Sequence, residues 1–588
     1  MMSLLILPLL LGSASIPLSV KWRKPGLLAM ALASGIFLLI EFRPYDMISY
    51  FSLIASVVFI ATCVYTIRYA DRYGGWLTPL FLFTIEGMLI ILSSANYLEL
   101  IAGWEVMSVP AYATVAMNRS DPSPSFVFMV FSEISTIFLV LAAVLSYAST
   151  GGTSLNFVDA GPVVLALLAI GAMTKMGITP FMISEWLPIA HGNAPANSSA
   201  IFSAGMTLMG VFVIVRVALA TSPSMLLGLL FMAFGGISVM FAALYAYVSE
   251  NMKMLGGFST IENNGSILVA IGLYVSLPDT LSIFREYMII VVVIFALAHS
   301  IAKTGLFMAI GSTGTELFSG IEERKNVTSS LGTLLIVISL SGLFPTIGGL
   351  ATWMLLEALF MGAFAGGTLG IASIIVGGIV AMGEGLASGA MLKVFSFTQA
   401  FRKRGGTGDA YLSTAVLSVG ILLVVLMAVS TLFIPPYFLT GNPSVLVFNG
   451  LTIQSSLGDG TFGVVSPIYI IGIIAIFAVL ARVVLGKPSG NSSVRRWNGG
   501  IVEESSYNSF TYSNNMRMML RKILRTSYHG EGRTLTITDV FWFTMISISR
   551  LYRRASKAIT YGLMNSSIGW YMIYMIVGFM VILIIAAL

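Results

Sequence analysis

Residues 289–310 read IIVVVIFALAHSIAKTGLFMAI, a continuous apolar stretch with a histidine and a lysine in its middle. The hydrocarbon core of a bilayer is spanned by roughly 20 apolar residues of helix. The stretch therefore predicts a transmembrane helix, and His299 and Lys303, four positions apart, share one of its faces. Comparable runs recur at 411–434 (YLSTAVLSVGILLVVLMAVSTLFI), 469–485 (YIIGIIAIFAVLARVVL) and 572–588 (MIYMIVGFMVILIIAAL). About sixteen such segments are legible along the chain.

Composition leads to the same class. Of 588 residues, 57% are hydrophobic and 10% charged, and the mean hydropathy is +0.93, so water is not the main solvent. The runs carry Gly, Ser and Met without strict polar alternation, and 58 glycines suit close helix packing in lipid, which excludes a β-barrel. A single cysteine, Cys63, leaves no intrachain disulfide, and one Cys with three His cannot ligate an iron–sulfur cluster or a structural zinc. Redox chemistry, if any, belongs to other chains.

Orientation follows from the loops. The run LLILPLLLGSASIPL (4–18) has no basic residue ahead of it and is read as a retained first helix. Basic residues then fall in alternate loops: Lys21, Arg23 and Lys24; Arg68 and Arg72; Arg119; Arg402, Lys403 and Arg404. The positive-inside rule puts these in the cytoplasm and the amino terminus outside. The net charge of +6 sits mostly in loops and in a late basic, partly amphipathic stretch, and does not indicate nucleic-acid binding. That stretch reads equally as an interfacial or partner-docking helix and as a loop held by lipid headgroups. The expected divisions are 1–120, amino-terminal helices; 121–400, a core with broken helices near Pro180 and Pro345; 401–486, further helices; 487–569, the basic segment; and 570–588, a terminal helix.

Ionisable groups at membrane depth are costly and normally face one another or an internal water path. The candidates are Glu86, Glu105, Glu133, Lys175, Lys253, Glu262, His299, Lys303, Glu357, Glu384 and Lys393. A snorkelling or structural role competes with transport for each one; a row of acids and lysines together points to ion movement. In TKMGITPFMISEWLPIAH (174–191), Lys175 precedes Pro180 inside a membrane-length segment, and proline breaks a helix. Broken helices survive at membrane depth only when buried in protein or lining a hydrated cavity. In PTIGGLATW (345–353), Pro345, Gly348 and Gly349 offer a second break. Asn263 and Asn264 beside Glu262 supply amide oxygens for a cation, or hydrogen bonds between packed helices.

These segments resemble, in order, the antiporter-like subunits shared by respiratory complex I, Mrp sodium/proton antiporters and membrane-bound nickel–iron hydrogenases. GWEVMSVPAY (103–112) is similar to the family's WE segment and gives Glu105, and GAMTKMGITPF with WLPIAH gives Lys175 as the lysine of the first broken helix. SENMKMLGGFSTIENNGSI (249–267) resembles D-I-K-R-L-L-A-Y and gives Lys253. AHSIAKTGLFMAIGS (298–312) gives His299 and Lys303, and AMLKVFSFTQAF (390–401) gives Lys393. The T-I-E-N-N-G variant, the A-H-x-x-A-P loop and the late W-x-G-G look most like the formate hydrogenlyase, hydrogenase-4, archaeal membrane-bound hydrogenase and sulfane reductase branch.

The chain also departs from the pattern. The lysine that the family often places eight residues before the arginine matching Arg216 is Leu208, and the charged residue before Trp353 is Thr352, with Glu357 five positions on. Asn498 replaces the cysteine of W-x-C-G, against a cofactor role there.

The resemblance implies an all-α polytopic fold: a core of about fourteen helices with two inverted repeats and broken helices, plus about two carboxy-terminal helices. It also implies a non-catalytic, ion-translocating subunit of a redox-driven complex in the cytoplasmic membrane of a prokaryote. Ion translocation would use Glu105, Lys175, Lys253, His299, Lys303 and Lys393, with Glu262, Glu357 and Glu384 as a second group. Protons or sodium ions would be moved, this chain would hold no cofactor or metal, and nickel–iron and iron–sulfur centres would sit on partner subunits. A non-conducting structural subunit with an interrupted relay, a complex I or Mrp subunit, and a free-standing antiporter are the alternatives.

Overall fold

The computed structural model describes residues 2–43, 46–117, 121–152, 161–178, 186–321, 326–400, 409–433, 446–449, 452–457, 460–486, 509–520, 526–529, 534–537 and 540–563, and short helical pieces between 569 and 580. Pro180, Arg119, residues 402–404, Asn498 and most of the 570–588 segment lie outside the described residues. The chain divides into two compact units, Met1–Ser513 and Asn514–Leu588.

The first unit is a helical bundle. Its helices are α1 (Met2–Lys21), α2 (Arg23–Glu41), α3 (Met47–Tyr69), α4 (Leu77–Ser93), α5 (Tyr97–Val115), α6 (Ser123–Thr150), α7 (Pro162–Lys175), α8 (Trp186–Asn193), α9 (Ala196–Ile201), α10 (Thr207–Ala220), α11 (Met225–Val248) and α12 (Met252–Ser276). There follow α13 (Ser282–Thr313), α14 (Val327–Leu340), α15 (Ile347–Ala363), α16 (Gly367–Phe395), α17 (Ala410–Phe433) and α18 (Pro467–Leu485). A five-residue π-helical turn, Phe202–Met206, joins α9 to α10 into one span. Among the described residues ten helices are long and apolar enough to cross a membrane. The polar α12, with Ser259, Thr260, Glu262, Asn263 and Asn264 along it, falls outside that set because protein surrounds it and lipid does not.

Two membrane-length segments are interrupted, and both in the same way. α7 stops at Lys175, Gly177 turns left-handed (φ 80°) and Ile178 N–H donates back to Met173 O at 2.8 Å. α14 stops at Leu340, Gly342 turns left-handed (φ 64°) and Leu343 N–H donates back to Ile338 O at 3.1 Å. Each is a glycine-terminated helix end that satisfies its last carbonyls internally. The sequences there are G-I-T-P (177–180) and G-L-F-P (342–345), so the breaks repeat at the level of residues. Lysine precedes the first glycine by two; the second has Leu340 there.

Small residues set the closest packing. A Cβ on Gly235 would stand 2.6 Å from Gly265 O, one on Gly265 2.7 Å from Gly235 O, and Gly228 and Gly272 repeat the contact one heptad away, so α11 and α12 touch backbone to backbone. At one end of the bundle Arg68 reaches Asp409 (2.9 Å) and Asp71 (3.1 Å), Arg23 also pairs with Asp71, and Arg72 donates to Gly311 O (2.7 Å). Arg23 at the start of α2, Arg68 in the last turn of α3 and Arg72 just beyond it, expected from sequence in loops, thus share one face with the start of α17 and the end of α13.

An addition that hydropathy did not announce is a three-stranded antiparallel sheet, β1 (Leu446–Asn449), β2 (Thr452–Leu457) and β3 (Gly460–Val465), between α17 and α18. Its Ile453 and Val465 are buried. The late basic stretch holds α19 (Ser509–Met519), which begins in the first unit. The second unit contains the hairpin β4 (Thr526–His529) and β5 (Thr534–Ile537), and α20 (Val540–Leu563).

Candidate functional site

The first half of the bundle centres on Lys175, 1% exposed at the last turn of α7. Its Nζ donates to Ser108 Oγ on α5 (2.8 Å) and Ser132 Oγ on α6 (3.1 Å), and stands 5.5 Å from the Trp104 ring centre. Trp104 is held by its own Nε1 donating to Ser135 Oγ (3.2 Å), which donates onward to Gly171 O (2.7 Å). Glu105 and Glu133 are half-buried nearby, and Glu105 accepts from Thr136 Oγ1 at 2.5 Å. Glu86 lies apart from this cluster, buried on α4 and accepting from Ser13 Oγ (2.9 Å) on α1.

α12 carries the path toward the second half. Asn264 Nδ2 donates to Met176 O (2.8 Å), fastening α12 to the broken end of α7. Asn263 Nδ2 donates to Ser259 O (2.8 Å) and to Glu262 Oε2 (2.5 Å). Asn264 thus bonds between packed helices, whereas both bonds of Asn263 stay within α12. Among the described residues no group of three or more His, Cys, Asp or Glu is arranged to hold a metal.

Glu262 on α12 and Glu384 on α16 are neighbouring buried carboxyls between the two helices. Lys303, 0% exposed on α13, is their cationic neighbour and reaches Gly256 O at 3.5 Å. His299 is buried one turn earlier on the same helix. His191 of α8, not singled out from sequence, is also fully buried, with its ring stacked 4.6 Å from Phe307. Its signal was the -AH- that ends the first quoted broken segment.

The remaining two lysines are not in the middle of the membrane segments. Lys253 is the second residue of α12 and donates to Ala194 O (2.7 Å) while pairing with Glu316. Lys393, near the end of α16, donates to Ser249 O (2.8 Å), Tyr247 O (3.4 Å), Glu250 Oε1 (3.0 Å) and Ser513 Oγ (3.4 Å). Glu250 and Glu316 escaped sequence reading because they lie in loops, where carboxylates are unremarked.

Glu357, on α15, accepts from Tyr287 Oη of α13 at 2.7 Å. Gly463 of β3 approaches so near that a Cβ there would stand 1.6 Å from Glu357 Oε1. Thr352 packs instead against the α14 break, beside Gly342, and Leu208 is buried on α10, so neither position returns the charge that the pattern lacks.

A bundle with paired broken helices, a buried lysine at the end of the first and further buried lysines and carboxyls beyond it defines an antiporter-like membrane subunit. Residues 94–382 match the transmembrane region of the NADH:quinone oxidoreductase/Mrp antiporter family. The chain is 24% identical over 483 residues to hydrogenase-4 component B of Escherichia coli (strain K12), covering 73% of this chain and 70% of that one. NADH-quinone oxidoreductase subunit N of Cupriavidus taiwanensis is 26% identical over 51% of this chain and 65% of its own length.

Solved structures share the fold. A chain of the archaeal membrane-bound sulfane sulfur reductase superposes with a TM-score of 0.77 at 17% identity, covering 100% of this chain and 99% of that one. A chain of the Mrp complex from Dietzia sp. DQ12-45-1b gives 0.63 at 19% (95% and 63%), and one of respiratory complex I from Thermus thermophilus 0.56 at 21% (74% and 100%).

Proposed function

We propose that this chain is the ion-translocating membrane subunit of a multisubunit, redox-driven complex of the hydrogenase or sulfane-reductase kind, moving protons or sodium ions along its buried charges. The supporting observation is the series Lys175, Glu262–Glu384, Lys303, all buried in one bundle and joined across the α7 break by Asn264. Several buried polar atoms beside it, both ring nitrogens of His191, Glu262 Oε1, Asn264 Oδ1 and the hydroxyls of Ser259, Ser266 and Ser300, have no hydrogen-bond partner among the described residues. Internal water satisfies such atoms in proteins and would carry protons between side chains too far apart to touch.

In this reading the ammonium of Lys175 is held by two serines while Glu105 modulates it from a distance: an approaching carboxylate favours the charged lysine and a retreating one favours release. The membrane is the cytoplasmic membrane of a prokaryote, with the Arg23–Arg68–Arg72 face inside and the amino terminus outside. Nickel–iron or iron–sulfur centres belong to partner subunits. A second reading, a structural subunit that conducts nothing, is favoured by one observation: Leu208 and Thr352 leave two uncharged gaps.

Redox-driven ion uptake into inverted vesicles carrying the intact complex tests the choice, with Lys175→Ala and Glu105→Gln compared against the native chain. Conduction requires uptake per electron to fall while assembly holds; unchanged uptake leaves the structural reading standing.

A further inference from the structure

The two lysines at the bundle's end are each held by a carboxylate that reaches outside. The Lys253 side chain is 4% exposed and its partner Glu316 47%; the Lys393 side chain is 0% exposed and its partner Glu250 30%. The two acids hang from one strap. Met252 N–H donates to Glu316 O (2.8 Å), Phe318 N–H donates to Glu250 O (3.4 Å), and Asn251 and Leu317 form an antiparallel bridge between them. The pairing is crossed: the loop before α12 sends Glu250 to α16, and the loop after α13 sends Glu316 to α12.

Inside the bundle the arrangement is matched on both helices. Glu262 lies nine positions after Lys253 on α12, and Glu384 nine positions before Lys393 on α16. At 1.5 Å per residue each leg is about 14 Å long. Both legs therefore run from the strap to the same central carboxyl pair.

Stability does not require this. Half-exposed ion pairs contribute about 0–1 kcal/mol, and a buried lysine could be replaced by an apolar side chain at no loss. We propose that Glu250 and Glu316 are two proton ports on one membrane face, each exchanging a proton directly with its lysine and both serving the Glu262–Glu384 pair; this rests on the ion-translocating reading. The step is Glu–COOH + Lys–NH2 giving Glu–COO⁻ + Lys–NH3⁺: the carboxyl O–H breaks, the amine lone pair takes the proton, total charge is unchanged, and the carboxylate reloads from water. Donor and acceptor are in direct contact, so a proton passes and a sodium ion, which would have to sit between carboxylate and ammonium, does not.

The test uses the intact complex in inverted vesicles, measuring proton uptake per electron for the native chain, Glu250→Gln, Glu316→Gln, the double variant and Lys175→Ala. Two parallel ports predict about a twofold loss for each single variant and at least a tenfold loss for the double, with assembly retained and no dependence on added sodium. A double variant that pumps as the native chain does, while Lys175→Ala does not, overturns the ports and leaves the ion-translocating reading intact. If Lys175→Ala also pumps normally, that reading fails with them, and sodium-dependent uptake overturns the selectivity.

Should the variants fail to assemble, the native complex is treated with a water-soluble carbodiimide, which takes up one water to become a urea and leaves an isopeptide bond. Cross-linked Lys253–Glu316 and Lys393–Glu250 peptides with loss of uptake are expected. Cross-links with uptake intact, or neither carboxylate modified, overturn the proposal.

Discussion

Lys175 and Glu105 do not form a direct ion pair: the ammonium donates to Ser108 and Ser132, and the carboxylate receives the Thr136 hydroxyl. A buried lysine with only neutral partners is one whose charge a nearby carboxylate can still bias. Removing both serine hydroxyls takes two charge-assisted hydrogen bonds from a group that has no water to replace them, about 1.5–3 kcal/mol each. On the proposed ion-translocating function, Ser108→Ala/Ser132→Ala is expected to assemble, to lower uptake per electron at least tenfold, and to leave the electron flux of the complex unchanged. Uptake in vesicles measured beside electron flux checks it.

Packing between α11 and α12 gives a prediction about stability alone. Gly265→Ala drives a methyl against the Gly235 carbonyl, which cannot move without separating the helices, and overpacking of this kind costs about 1–3 kcal/mol. Gly378, on α16, meets nothing within 4 Å, so Gly378→Ala is expected to be neutral or to gain up to about 1 kcal/mol from the unfolded chain's lost freedom. Thermal unfolding of the purified complex should rank the two in that order.

How far the fold was legible follows from these elements. Long apolar runs announced α13, α17 and α18, because lipid demands about twenty apolar residues and little else supplies them. The break at Gly342 was visible through Pro345, and the one at Gly177 through Pro180. The three-stranded sheet was not legible, since residues 446–465 carry neither membrane-length hydropathy nor a long alternating pattern. Glu105 and Lys175 came from their motifs. Glu250, Glu316 and Tyr287 did not, because their meaning lies in a partner 60 to 150 positions away, such as Lys253, Lys393 or Glu357.

The seam between α3 and α17 is expected to depend on pH. Partial burial raises the Asp409 carboxyl, but the Arg68 guanidinium and the amides of Leu412 and Tyr411 outweigh it and hold it below the usual carboxylate range. A carboxyl depressed in the fold contributes stability at pH values above its unfolded pKa, about 4, and loses that contribution as pH falls through the folded value. Asp409→Asn keeps the helix cap and removes the charge. It should therefore lower the melting temperature at pH 7 by an amount worth less than about 1 kcal/mol, and the difference from the native chain should shrink to nothing in acid. A difference that persists at low pH would mean the cap and not the ion pair was lost.

Gly463 and Glu357 give the sharpest test of the sheet's position. A methyl on Gly463 would overlap Glu357 Oε1, while Tyr287 Oη fixes the other oxygen at 2.7 Å, so the carboxylate cannot turn aside without giving up that bond. Gly463→Ala must either lift β3 from α15 or break the tyrosine contact, and is expected to destabilise the assembled complex by about 1–3 kcal/mol. Residues in contact couple: Glu357→Ala alone leaves the Tyr287 hydroxyl only its long bond to Met354 O (3.5 Å), yet combined with Gly463→Ala it clears the space the methyl needs. The double variant should then melt above the value expected from adding the two single losses. Simple additivity would show that β3 does not rest on Glu357 in the native complex.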